Sequence, residues 1–374
     1  MELLRIGVVG CGAIGREHIN RITNRLAGGK VVAVSDLYVE GAHQVGDPLG
    51  ATVYINSADL VNDPDVDAII CTTPAFAHKE TVIQALEAGK PIFCEKPLTT
   101  TAEDSLELAE IEMELGKKLI QVGFMRRFDE SYTQVKDLLD SGEFGAPLYL
   151  RCSHWFPEVD DGFTTEMAVY DAAIHEIDVI HWLLNENYES AQVMFPRQTG
   201  NKNPELKDPQ IMHIRCKSGV LATIEVFLNC QFGYDINCQI VCEKGVIDLP
   251  KPPRPLLRKS GGQTIPLDEN WKNHWKRAYD LEIQQWIDAV RAGELTGPNA
   301  WDGVIANVTA DALVRAQRNE GQIEPIAVGP SMLPPVRNPS IGASHIFPAS
   351  SRRTPAILHT NTLFCAALTR PSTC

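Results

Sequence analysis

The apolar run Leu3–Val9 ends in Gly10-Cys11-Gly12-Ala13-Ile14-Gly15, and the residues after it carry helical spacing. Alone, a GxGxxG is weak, because a glycine-rich turn needs no ligand. Between a strand and a helix it is far more restrictive. The first glycine allows the tight turn, the second lets a pyrophosphate approach the backbone, and the third lets helix and strand pack closely. The helix start then offers unpaired N–H groups to phosphate. Gly10, Gly12, Ala13, Ile14 and Gly15 are therefore predicted to cradle a dinucleotide. The next strand ends Val34-Ser35-Asp36, about twenty residues on, where an acid accepts hydrogen bonds from the adenosine ribose. Such an acid repels a 2′-phosphate, and Leu37-Tyr38 supplies no arginine to receive one, which favours NAD over NADP.

A chain that opens this way is committed to alternating strands and helices. Strands are predicted at Leu3–Val9, Val31–Ser35, Ala51–Ile55, Ala68–Cys71, Ile92–Cys94 and Lys118–Val122. Helices are predicted at His78–Ala88, stopped by Gly89, and at Ala102–Leu115, stopped by Gly116. Strands as uniformly apolar as Ala68-Ile69-Ile70 suit a parallel sheet covered on both faces. Residues 1–122 thus read as an α/β, doubly wound Rossmann domain. After Gly123 the texture changes. Helices are expected over Tyr132–Asp140 and Asp171–Leu184. Hairpin-like strand pairs then follow, Ile211–Cys216 with Val220–Leu228 and Asp235–Cys242 with Val246–Leu249. Residues 123–330 read as a second α/β domain with an open, mainly antiparallel sheet. It is closed by long helices, one presenting Trp301, Val304, Ile305, Val308 and Leu313 on a single face. Residues 331–374 carry four arginines, no acid and much Pro, Ser and Thr, and are expected to be disordered.

With 374 residues, two domains are the natural expectation. A formal net charge of −14 argues against a nucleic-acid or anionic-membrane partner. No apolar run reaches the roughly 18 residues that a membrane helix needs. The N-terminus passes straight into a strand, leaving no room for a signal peptide. The ten cysteines are scattered without a CxxC pair, as expected of reduced thiols in a cytoplasmic protein.

Two clusters carry chemistry. Cys94-Glu95-Lys96-Pro97 closes the fifth strand, at the sheet edge where open α/β sheets bind ligands, so Lys96 is aimed at the nicotinamide end. Pro97 restricts the lysine backbone before it. A solvated lysine before a helix is the bland alternative. On a regular helix Asp171 and His175 stand four apart, on one face, and a carboxylate there would orient and charge the imidazole. An exposed pair of that spacing is otherwise worth only a few tenths of a kcal/mol. His154, His175 and His181 lack metal-ligand spacing, and no metal is expected.

Taken together, Gly10 through His18, Glu95-Lys96-Pro97 and the Asp171/His175 pair resemble the glucose–fructose oxidoreductase/inositol dehydrogenase family. The runs Thr164–Ala168, Asp171–Asp178 and Gly233-Tyr234-Asp235-Ile236 are similar to its members that oxidise myo-inositol. The similarity spans roughly residues 3–328. It implies a catalytic trio of Lys96, Asp171 and His175. In that trio His175 takes the hydroxyl proton, Asp171 supports it, and Lys96 hydrogen-bonds the substrate. Arg127, His154 and Tyr234 match positions that contact the polyol, and Thr72, Thr73, Pro74 and Glu95 match the cofactor lining. The implied reaction passes hydride from a ring carbon of a cyclic polyol to NAD, giving 2-keto-myo-inositol, in a homotetramer assembled through the open sheet. Trp155-Phe156 follows His154 where many members are expected to carry Arg-Asn, which bears on substrate preference. Another inositol isomer, a pyranose, or NAD-dependent glycoside hydrolysis are the alternatives within the family. A non-catalytic NAD sensor would have no need of the trio.

Overall fold

A computed structural model describes residues 2–327 except 202 and 320. The expected tail, 331–374, lies outside the described residues. The first half alternates β1 (Leu4–Val9), α1 (Ala13–Asn24), β2 (Gly29–Ser35), α2 (Val39–Gly46), β3 (Thr52–Tyr54) and α3 (Ser57–Asn62). It continues with β4 (Ala68–Cys71), α4 (His78–Glu87), β5 (Ile92–Glu95), α5 (Ala102–Leu115) and β6 (Ile120–Gly123). The six strands form a parallel sheet in the order β3-β2-β1-β4-β5-β6, which is the doubly wound arrangement. Every residue of β4 is buried, so helices cover both faces there, as its uniformly apolar sequence requires. Thr101 caps the start of α5 through its side chain, and Gly116 ends it in the left-handed region.

The second half begins with a 3₁₀ turn at Met125–Phe128, then α6 (Glu130–Asp140) and β7 (Pro147–Trp155). A π-helical turn, Ala168–Ala173, runs into α7 (Ile174–Leu184). There follow β8 (Tyr188–Met194), β9 (Gln210–Cys216), β10 (Leu221–Phe227), β11 (Asp235–Cys242) and β12 (Gly245–Asp248). A small hairpin, β13 (Leu257–Lys259) and β14 (Gly262–Thr264), precedes α8 (Trp271–His274), α9 (Lys276–Ala292), α10 (Ala300–Arg318) and β15 (Glu324–Pro325). The large sheet has the order β12-β11-β7-β10-β9-β8-β15. Both predicted hairpins form, β9 with β10 and β11 with β12.

Two departures from the expected elements matter for the site. β7 and β8 are not among the predicted strands, yet β7 lies between β11 and β10 and runs parallel to β10, making the sheet mixed. The helix expected from Asp171 to Leu184 is α-helical only from Ile174. The wider π turn before it breaks the four-residue stacking on which the Asp171/His175 reading relied.

Alternation along β9, β10 and β11 buries Ile214, Ile224, Val226 and Ile240 on one face and leaves the other partly open. α10 packs on α5, α7 and β8. One apolar core runs from Ile69 and Leu108 to Ile224 and Val304, so the two sheets share a core.

Candidate active site

The glycine turn behaves as its residue types demand. Gly10 has φ of 98°, and a Cβ there would meet the Thr72 and Thr73 backbone within 2.7 Å. A Cβ on Gly15 would stand 2.1 Å from the Gly10 carbonyl oxygen, so α1 can lie against β1 only with glycine there. At Gly12 a Cβ would meet nothing within 4 Å: the backbone faces open groove, where a pyrophosphate needs to come close. Gly12 caps α1 with no side chain, which leaves the first N–H groups of the helix to an anion.

The groove, of about 640 Å³, is lined by Gly10, Gly12, Asp36, Thr72, Thr73 and Pro74, together with Leu37, Ile55 and Phe76. Asp36 is held at the end of β2 by two backbone donors, Cys11 N at 2.6 Å and Tyr38 N at 2.8 Å. The donor set, the open glycine and the fixed acid fit a dinucleotide with a free ribose 2′-hydroxyl. Ala13 and Gly15 line neither this groove nor the adjoining cavity. Their place is in the helix start and in its packing.

Next to the groove lies a cavity of about 350 Å³ that Lys96, Asp171, His175, His154 and Tyr234 share with Ile14 and Glu95. Thr73 lines both spaces. Lys96 follows β5, and its Nζ donates to the Asp171 carbonyl oxygen at 3.1 Å and lies 3.7 Å from the Asp171 carboxylate. Glu95, buried beneath it, accepts from His18 Nε2 at 2.8 Å. Burial alone would push the Glu95 carboxyl up, but His18 and Lys96 bring it below its ordinary value.

The expected Asp171–His175 pair does not form. The π turn hands Asp171 to Lys96, and Nδ1 of His175 is buried without a hydrogen-bond partner. Burial first, and then the charges of Lys96 and Arg126 and the nearby His154, hold this imidazole well below its usual 6.5. The ring is therefore neutral rather than charged.

In the unfolded chain the ring protonates as pH falls through about 6.5, while the folded ring resists, so its effect is nil above that pH and destabilising below it. His18, His181 and His274 carry the same sign, each lowered chiefly by burial. Asp178, raised to about 6 by burial, acts oppositely, its contribution fading as pH rises through that range. Comparing wild type with His175→Asn cancels the other groups. In urea melts the variant is expected to lose less stability between about pH 7.5 and about pH 5.5, by roughly 1 kcal/mol for each pH unit below 6.5. Parallel losses in the two proteins would contradict it.

Arg127 does not reach this cavity. It is paired with Asp178 and Asp302 and lines a separate cleft. Its neighbour Arg126, pointing to the other side of the same 3₁₀ turn, stands behind the cavity wall. Arg126 and Glu176 form a fully buried ion pair. His154 Nδ1 lies 3.1 Å from Glu176 and 3.3 Å from Arg126 Nη2. Arg126 also lies over the Trp275 ring, 5.1 Å from its centroid, and Trp275 Nε1 donates to the Tyr234 hydroxyl at 2.8 Å. One buried guanidinium thus backs both His154 and Tyr234. Burial alone would push Glu176 up, but Arg126 and His154 hold it below its ordinary value. Trp271, Phe156 and Tyr279 also line the cavity and are not among the predicted residues.

Two family models match in tandem. The oxidoreductase family NAD-binding Rossmann fold covers residues 4–124, and the oxidoreductase family C-terminal alpha/beta domain covers 136–327. The chain belongs to the GFO/IDH/MocA oxidoreductase family. This member is an NAD-dependent oxidoreductase acting on CH–OH groups. It is similar to inositol 2-dehydrogenase of Burkholderia vietnamiensis, at 47% identity over 87% of this chain and 97% of that one. Inositol 2-dehydrogenase of Klebsiella pneumoniae is equally similar, at 47% over 87% and 96%. Among solved structures, myo-inositol dehydrogenase of Lactobacillus casei, in complex with NAD(H) and myo-inositol, superposes with a TM-score of 0.85. It is 40% identical and covers 87% of this chain and 98% of that one. Among the described residues no helix is long and apolar enough to cross a membrane.

Proposed function

We propose that this family member is an inositol 2-dehydrogenase that oxidises myo-inositol to 2-keto-myo-inositol. The observation that carries the reading is the single cavity shared by Lys96, Asp171 and His175, opening beside the groove that Asp36 and the glycine turn line. Sequence similarity to the inositol 2-dehydrogenases supports the choice of substrate. When bound in the groove, NAD supplies the hydride acceptor.

The residues divide the remaining work. His175, neutral in its buried setting, takes the proton of the reacting hydroxyl. Lys96, held by Asp171, donates a hydrogen bond to the same oxygen and stabilises the charge that develops as the proton leaves. Asp171 acts on the lysine rather than on the imidazole. His154 and Tyr234 hold the other hydroxyls. The balance is one C–H and one O–H bond broken, one C=O formed, hydride to NAD and one proton to His175.

The test is to mix the protein with NAD and a panel of myo-, scyllo- and chiro-inositol and glucose, and to follow NADH absorbance at alkaline pH. Myo-inositol is expected to give the highest kcat/KM. Equal rates on glucose would remove the substrate assignment, and cleavage of a nitrophenyl glycoside without net NADH would replace it by hydrolysis. Phe156, lining the cavity where a polar residue was expected, is the observation that would favour another isomer.

Cytoplasmic location, a role in inositol catabolism and a homotetramer belong to the same proposal. Supporting the last is the open outer face of the seven-stranded sheet, where Tyr149 and Met194 are exposed. Light scattering is expected to give the mass of four chains.

A further inference from the structure

His78, the first residue of α4, is buried although it takes no part in either the groove or the cavity lining. Its Nδ1 lies 2.8 Å from the Pro97 carbonyl oxygen and its Nε2 lies 2.8 Å from the Thr73 carbonyl oxygen. A carbonyl oxygen only accepts, so the ring bonds both loops only when each of its nitrogens carries a proton, and with a single N–H it bonds one of them.

The place of these two carbonyls gives the contact its meaning. β4 and β5 pair in register as far as Cys71 opposite Cys94, and their ladder ends there. Past that rung the chains part, one into Thr72-Thr73-Pro74 and the other into Glu95-Lys96-Pro97. Thr73 lines both the groove and the cavity, and Lys96 lines the cavity. Open parallel sheets bind their ligands at such a parting, where the backbone no longer fixes the spacing of the two loops.

We infer that His78 is a positioning residue, whose ring ties the Thr73 loop to the Lys96 loop and so sets the distance between the dinucleotide and the reacting hydroxyl. Burial strengthens the tie, because a hydrogen bond in a dry, low-dielectric interior is harder to exchange for water. A metal is the competing occupant, since Cys71, His78 and Cys94 offer ligand atoms within 4.8 Å of one another. Both ring nitrogens are turned toward loop carbonyls, so ligation would require the ring to release one loop. The clamp, with both ring nitrogens donating, accounts for both contacts.

The turnover part of this inference rests on the polyol-oxidation reading, and the cofactor-binding part does not. The experiment compares His78→Phe, which keeps ring bulk without a donor, with His78→Gln, which restores one amide donor. NADH affinity is read by fluorescence titration, and turnover with myo-inositol and its C2-deuterated form. His78→Phe is expected to weaken NADH binding severalfold and to lower kcat roughly 10- to 100-fold, the scale of loss that misplacement of about an ångström produces. The deuterium isotope effect is expected to rise as hydride transfer becomes limiting, and His78→Gln is expected to recover part of each loss. A merely structural histidine would lower the melting temperature and leave NADH affinity and isotope effect unchanged in the folded fraction. That result overturns the inference.

His78→Asn, with a shorter amide, is measured alongside. If His78→Phe fails to fold, wild-type NADH affinity and isotope effect in folded His78→Asn overturn it equally. Should the wild type reduce no NAD with any polyol, the substrate reading fails, while the NADH titrations still judge His78.

Discussion

Replacing His175 by asparagine is expected to lower kcat by about 10²- to 10⁴-fold, the usual worth of a positioned general base, while NADH affinity stays close to wild type. The groove residues that face the dinucleotide do not include His175, so cofactor binding and proton transfer separate cleanly in this variant. The base must offer a lone pair, and a buried imidazole whose neighbours are Lys96, Arg126 and His154 keeps one at neutral pH. The same neighbours make it a weak base toward a neutral alcohol. In the proposed mechanism that weakness is relieved as charge develops on the substrate oxygen, which both Lys96 and the ring would then attract across the cavity they line. The pH profile of kcat/KM is expected to fall on the acid side only well below 6.5, in step with the lowered affinity of the ring for its proton. Asp171→Asn loosens Lys96 rather than removing the base, and is expected to cost less than His175→Asn. If instead Asp171→Asn abolished turnover and His175→Asn retained it, the base would be Asp171.

Which parts were legible in the sequence follows from how local their causes are. The glycine turn was, because the positive φ at Gly10 and the close approach at Gly15 are imposed within one strand–turn–helix unit. The position of Lys96 was readable for a similar reason: it closes an apolar strand, and parallel strands present their carboxyl ends to ligands. The supposed Asp171–His175 contact failed because it assumed a regular helix. A π turn is a change in hydrogen-bond pattern that no residue type in Ala168–Ala173 announces. Arg127 lies in the right turn, but it is its neighbour Arg126 that backs the cavity-lining His154. That is decided by Glu176 on one side and by Asp178 and Asp302 on the other, partners far along the chain. β7 was missed because it carries Arg151, Ser153 and His154 among its apolar residues, yet stands inside a sheet with neighbours on both sides.

The Arg126–Glu176 pair gives the other large expected effect. Glu176→Gln keeps the shape of the side chain and leaves the Arg126 charge buried without its counter-charge, which is expected to cost about 3–5 kcal/mol in urea unfolding. The stability loss alone would not link the pair to the site, since any broken buried ion pair destabilises. The link is that His154 and Tyr234, through Trp275, are backed by this same guanidinium. In the folded fraction KM for myo-inositol is therefore expected to rise about tenfold, the worth of one charge-assisted hydrogen bond, with NADH affinity unchanged. The double substitution Arg126→Met with Glu176→Leu separates the two roles. Well-packed apolar residues in place of a buried ion pair commonly restore stability, so the double variant is expected to recover much of the folding free energy. It has nothing with which to orient the His154 ring, and its KM for myo-inositol is expected to stay high. Recovery of KM along with stability would show that the pair is only a strut, and that His154 and Tyr234 find their places without it.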